Sequence, residues 1–67
     1  MITITLNGEP RELDRETVLD ELIDIFAMPK KRVAVELNQD VVRRNEWQNT
    51  LVKDGDKLEV VHLVGGG

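Results

Sequence analysis

An α+β domain is what this sequence predicts: one amphipathic helix laid across a mixed sheet of four or five strands. Three observations carry the prediction. Ile2-Thr3-Ile4-Thr5-Leu6 alternates strictly between large apolar residues and threonine, as a half-buried strand does. Leu19, Leu22, Ile23 and Phe26 recur at helical spacing and make one apolar stripe. Val33-Ala34-Val35-Glu36-Leu37 and residues 57–64 are apolar runs of strand length. A helix with one apolar face covering a sheet is a stable two-layer solution for a chain this short.

Taken in order, each segment supports that assembly. Asn7-Gly8 after the first strand is the strongest short-range hairpin signal. Residues 9–13 then form the return strand, and Pro10, which has no amide hydrogen for a ladder, is expected to place it at a sheet edge. Thr17 is expected to cap the helix, with Asp20 three residues on completing a variant capping box. Asp20 and Glu21 sit where the helix dipole favours negative charge. Each residue of the apolar stripe contributes at most about 1.5–3 kcal/mol if fully buried, and Val18 and Ile25 widen the stripe. Pro29 is expected to end the helix near Met28, because the residue before a proline avoids helical backbone. Lys30 and Lys31 are expected to complement the negative end of the dipole.

A second strong strand follows at Val33-Ala34-Val35-Glu36-Leu37, then a turn at Asn38-Gln39-Asp40 and a short strand at Val41-Val42-Arg43. Arg44 to Leu51 has weak helical character, and Trp47 within it reads as a lid over the end of the core rather than a ligand platform. Lys53-Asp54-Gly55-Asp56 is a turn, and residues 57–64 form the last strand.

The chain has 67 residues, enough for one small domain. It has no cysteine, which excludes disulfides, cysteine metal sites and an internal thiol nucleophile. His62 is the sole histidine, so a metal site would need carboxylates gathered from elsewhere, and none is expected. No grouping of serine, histidine and aspartate stands out, and the glycines at the end have no following helix with which to cradle phosphate. Thirteen acidic against nine basic residues give a net charge of −4. That balance, with only Phe26 and Trp47 as aromatics, argues against nucleic acid. The opening residues lack a basic and then apolar leader, and no run is long enough to span a membrane. The expected location is the cytoplasm, with no membrane association and no cofactor.

Two features remain unabsorbed by the fold. The first is the ending, Val64-Gly65-Gly66-Gly67. Glycines bury nothing and lose much entropy if ordered, but without a Cβ they can thread a channel too narrow for other residues. The tail reads either as a frayed terminus or as a bare α-carboxylate presented by the rest of the chain. The second is the last strand. Leu58, Val60, His62 and Val64 share one face, leaving Val61 and Leu63 on the other, toward solvent. If the first strand and the one at residues 33–37 flank it, Thr3, Thr5, Ala34 and Glu36 lie on that same outer face. Val61, Leu63, Ala34 and Val64 are the candidate partner interface, because the apolar patch and the tail share a strand.

The opening strand with Asn7-Gly8-Glu9, the run Arg32-Val33-Ala34-Val35-Glu36-Leu37-Asn38, the Trp47 segment, the Asp54-Gly55-Asp56 turn and the closing Gly66-Gly67 resemble the ThiS sulfur carriers of thiamine biosynthesis. The resemblance covers essentially the whole chain and implies a ubiquitin-like β-grasp domain over residues 1–64 with a flexible tail at 65–67. It implies a carrier, not an enzyme. A ThiF-like adenylating enzyme would use ATP to turn the Gly67 carboxylate into an acyl adenylate. Sulfur from a cysteine desulfurase persulfide would give a Gly67 thiocarboxylate, and thiazole synthase, ThiG, would take that sulfur. Gly65 and Gly66 would thread the partner active sites. The terminal diglycine is shared with ubiquitin and the molybdopterin synthase small subunit, so that subunit, or a passive ubiquitin-like binding module, stands as the alternative.

Overall fold

Seven strands, one α-helix and one 3-10 helix make up residues 1–63, the part of the chain that the computed structural model describes. β1 (Ile2–Leu6) and β2 (Glu9–Leu13) form the hairpin expected at Asn7-Gly8. Both turn residues have positive φ, 51° and 82°, as a two-residue turn matching strand twist requires. β4 (Val33–Leu37) and β5 (Asp40–Val42) form a second hairpin. β7 (Lys57–His62) lies between the hairpins, parallel to β1 and antiparallel to β4. The sheet order is β2-β1-β7-β4-β5, so the strand with Pro10 is at an edge, as its missing donor demands. A second, two-stranded sheet pairs β3 (Thr17–Val18) with β6 (Leu51–Val52) and was not foreseen. Two-residue strands carry no periodicity to read.

α1 spans Leu19–Ile25 and lays Leu19, Leu22 and Ile23 into the core, all three fully buried. Both of its ends differ from expectation. Thr17 is not the cap: it belongs to β3, and its hydroxyl donates to the Arg15 carbonyl at 2.7 Å. The Leu19 amide is satisfied instead by the Thr50 carbonyl at 2.7 Å, a tertiary contact that replaces a side-chain cap. At the other end the helix stops at Ile25, before Pro29 has any effect. Ala27 turns left-handed, φ 54°, while its N–H donates to Asp24 O and the Met28 N–H donates to Ile23 O. That pair of bonds is a Schellman closure, built here on alanine rather than the usual glycine.

The core joins Ile4, Val35 and Leu58 of the sheet to the helix stripe, with Trp47 and Val52 closing the end. Trp47 lies on the 3-10 helix Arg44–Asn49, is 1 % exposed, and donates its indole N–H to the Val42 carbonyl at 3.0 Å. It is the lid expected of it. The Arg44 guanidinium lies 4.7 Å from the ring centroid and 3.8 Å from Asp20. Lys30 does more than sit near the helix end. It folds back to Asp24 at 2.9 Å and Asp20 at 3.4 Å. The hydrogen bond to Asp24 raises its pKa above the ordinary 10.5, against some desolvation and with help from Asp20. A raised lysine pKa stabilises the fold fully below the unfolded value and ceases to do so as pH climbs past the folded one.

Two stability measurements follow from this packing. Trp47→Ala removes the largest buried side chain at a cost of about 3–5 kcal/mol. That matches the roughly 3–5 kcal/mol a core of this size supplies, so circular dichroism should show a largely unfolded chain. Ala27→Gly relieves left-handed alanine backbone worth roughly 1 kcal/mol and should raise the Tm; a lowered Tm would contradict the closure described for α1.

Candidate functional site

The candidate site is the outer face of the sheet at the end of β7. In β7 the side chains alternate as the sequence predicts. Leu58 is buried and Val60 half-buried on the helix side, whereas Val61 (46 %) and Leu63 (52 %) are exposed. The register places Ala34 directly opposite Val61 on β4. Three of the four interface candidates, Ala34, Val61 and Leu63, are therefore together at the same end of one face. Val64, Gly65, Gly66 and Gly67 lie outside the described residues.

β4 and β5 extend this face. Val41, 67 % exposed, pairs with Glu36, and Glu36 pairs in turn with Glu59 of β7. Sequence reading missed Val41. A three-residue turn at 38–40 left the register of β5 undefined, but the structure shows a two-residue turn at Asn38 (φ 52°) and Gln39 (φ 75°) that pairs Leu37 with Asp40. The polar spacing around Asn38 could have signalled that turn. Its side chain spans the loops, donating to Asp56 Oδ1 at 3.0 Å and accepting from the Lys57 N–H at 2.9 Å. Glu36, Gln39, Lys57 and Glu59 line a depression of about 250 Å³ beside it.

Thr3 and Thr5 share the outer face but not the site. The parallel pairing of β1 and β7 stops at Thr5 with Lys57 and Leu6 with Leu58. Val61 lies four residues beyond Lys57, the partner of Thr5, roughly 13 Å at strand rise. The cause is the Asn7-Gly8 turn, which carries the chain away. Asn7 donates its N–H to Leu58 O at 2.9 Å, and its side-chain oxygen accepts from the Val60 N–H at 2.7 Å. On the β4 side the ladder holds to the end, since the Leu63 N–H donates to Arg32 O at 2.7 Å.

His62 is exposed at the end of β7, opposite Val33. Among the described residues no group of three histidine, cysteine, aspartate or glutamate side chains could hold a metal, and no helix is long and apolar enough to cross a membrane. The face offers apolar and acidic contact, not a constellation for bond making.

Comparison with known proteins bears on the fold and the family. The family model described as ThiS family matches residues 4–67. A ThiS sulfur carrier protein from Thermus thermophilus is 41% identical over 64 residues, covering 96% of this chain and 98% of the relative. The crystal structure of a thiamine biosynthesis protein (ThiS) from Geobacter metallireducens superposes with a TM-score of 0.89 at 35% identity, covering 98% of this chain and 100% of that one. A thiazole synthase from Magnetococcus marinus is 39% identical over 64 residues; like the other thiazole synthase matched, it is far longer, and the chain spans 20% of its length. With a matched profile over nearly all its residues, a superposable solved structure and carriers among its relatives, this chain belongs to the ThiS family.

Proposed function

We propose that the chain is a sulfur carrier of thiamine biosynthesis and that the Gly67 carboxylate is the group that carries the sulfur. The observation that carries this reading is the match to the ThiS family model, which runs through residue 67. The chemistry is consistent with the composition. A carboxylate oxygen is a poor leaving group, so a ThiF-like adenylating enzyme would first join the Gly67 carboxylate to AMP from ATP, releasing pyrophosphate. The persulfide of a cysteine desulfurase would then displace AMP to give an acyl disulfide, and a thiol reductant would cleave its S–S bond, itself leaving as a disulfide. The thiocarboxylate so formed is a nucleophile on a slim arm, with Gly65 and Gly66 giving reach. With no cysteine, the chain has no thiol of its own onto which the sulfur could stray. In this account the chain is a substrate of enzymes and not a catalyst, and it works in the cytoplasm.

Thiazole synthase is the receiving partner in this reading. Two proteins of that name contain a stretch similar to this chain within a longer polypeptide, which supports the two functions working together. Ala34, Val61, Leu63 and Val64 would form the apolar contact that seats the carrier and points the tail inward.

Intact mass after incubation with ATP, an adenylating enzyme and a sulfur source tests the carrier role. The expected change is replacement of one oxygen by sulfur at Gly67, lost when Gly67 is deleted, with the Tm of the deletion variant nearly unchanged; an unaltered mass argues for a passive module. Leu63→Asp should weaken binding to thiazole synthase by about tenfold or more. Its cost in stability should stay within about 0.5 kcal/mol, as for other surface changes. Unchanged binding would remove the patch from the account.

A further inference from the structure

We propose that the exposed half-edge of β7, from Val60 to His62, is completed by an extended segment of thiazole synthase that adds as a strand and carries a basic residue. The inference rests on the reading that thiazole synthase receives the tail. It begins with the parity of the ladder. The bonds from Asn38 N–H to Lys57 O and from Leu63 N–H to Arg32 O show that odd residues of β7 bond to β4. Even residues must then point the other way, and Leu58 O and Val60 N–H do so, meeting Asn7. Beyond Asn7 the chain turns off. Among the described residues, the Val60 carbonyl and the His62 N–H and carbonyl face outward with no strand to meet them. An unpaired row of this kind is a template for another strand.

The other two edges of the sheet are guarded. β2 carries Pro10 and the charges of Glu9, Arg11 and Glu12, and β5 is three residues long. The half-edge of β7 has neither device: Val60-Val61-His62-Leu63 holds no proline and no aspartate, glutamate, lysine or arginine. The Asn7 side chain occupies the first donor and leaves the rest open, so the edge starts at a defined point. Charge selects the occupant. Glu36 and Glu59 stand directly across from each other beside the apolar pair Ala34 and Val61, and with Lys57 lining the same depression the two carboxylates still leave an excess of negative charge there. With a net charge of −4, a second copy of the chain would bring more negative charge to the same place, whereas a basic strand would neutralise it. A strand bonded to Val60 and His62 would also align the tail in extended form toward the protein that supplied it.

The test uses amide exchange and binding with purified thiazole synthase. In the free chain the His62 amide should exchange quickly, and in the complex about tenfold more slowly or better. His62→Pro removes that N–H without touching the ladder to β4, and should weaken binding about tenfold. His62→Ala keeps the N–H and should bind like the parent. Glu59→Lys should also weaken binding, and the parent complex should loosen as salt is raised. A complex that forms without slowing the His62 amide overturns strand addition and leaves the carrier reading intact. Absence of any complex with the parent chain overturns the partner reading, and the inference with it. Slow exchange at His62 in the chain alone, rising with concentration, assigns the edge to a second copy and also overturns the proposal. The exchange measurement stands even if the proline variant fails to fold.

Discussion

The final strand must be inserted between the first strand and the fourth, and everything else in this molecule depends on that insertion. β1 and β7 are parallel neighbours although Thr5 and Lys57 are separated by most of the chain. Parallel neighbours cannot be joined by a tight turn, so the intervening residues must cross over the sheet face, and α1 does so. Until β7 docks, the two hairpins share no ladder and the core lacks Leu58. The long loop that closes on docking makes this the entropically costly event of folding.

That placement has a mechanical consequence. An edge strand would give whatever follows it a frayed base, but β7 is the middle strand of a five-stranded sheet. Leu63 is still bonded to Arg32 at the last described residue, while the opposite side of β7 has already lost its neighbour. One side of the strand is an anchor and the other is open. A carrier needs both: a fixed point from which the arm is measured, and a surface that a partner can grip beside it.

The rest of the fold is economical. α1 has seven residues, too few to be stable alone, and persists because Leu19, Leu22 and Ile23 are buried and its first amide is met by Thr50. Trp47 fills the end of a small core with one large ring and answers its only polar atom with the Val42 carbonyl. Arg44 and Lys30 draw the same helix toward the lid and toward its own C-terminal loop through Asp20 and Asp24. None of these groups lies on the outer face that carries Ala34, Val61 and Leu63, so the contacts that hold the helix and lid leave that face free.

Local physics was legible in the residues. The alternation of Ile2 to Leu6, the Asn7-Gly8 turn, the helix stripe, Trp47 as a lid and the outward pair Val61 and Leu63 all depend on neighbours a few positions away. The same is true of the family resemblance, which rests on short runs. Tertiary contacts decided the remainder. Thr17 lost its capping role because Val52 offered it a strand partner, and α1 closed on Ala27 because Met28 could reach Ile23. Val41 joined the outer face, and Thr3 and Thr5 lie away from the end that holds Val61 and Leu63, because register is a property of two strands at once. No single segment encodes where its partner stops, and so the open edge of β7 exists only in the folded sheet.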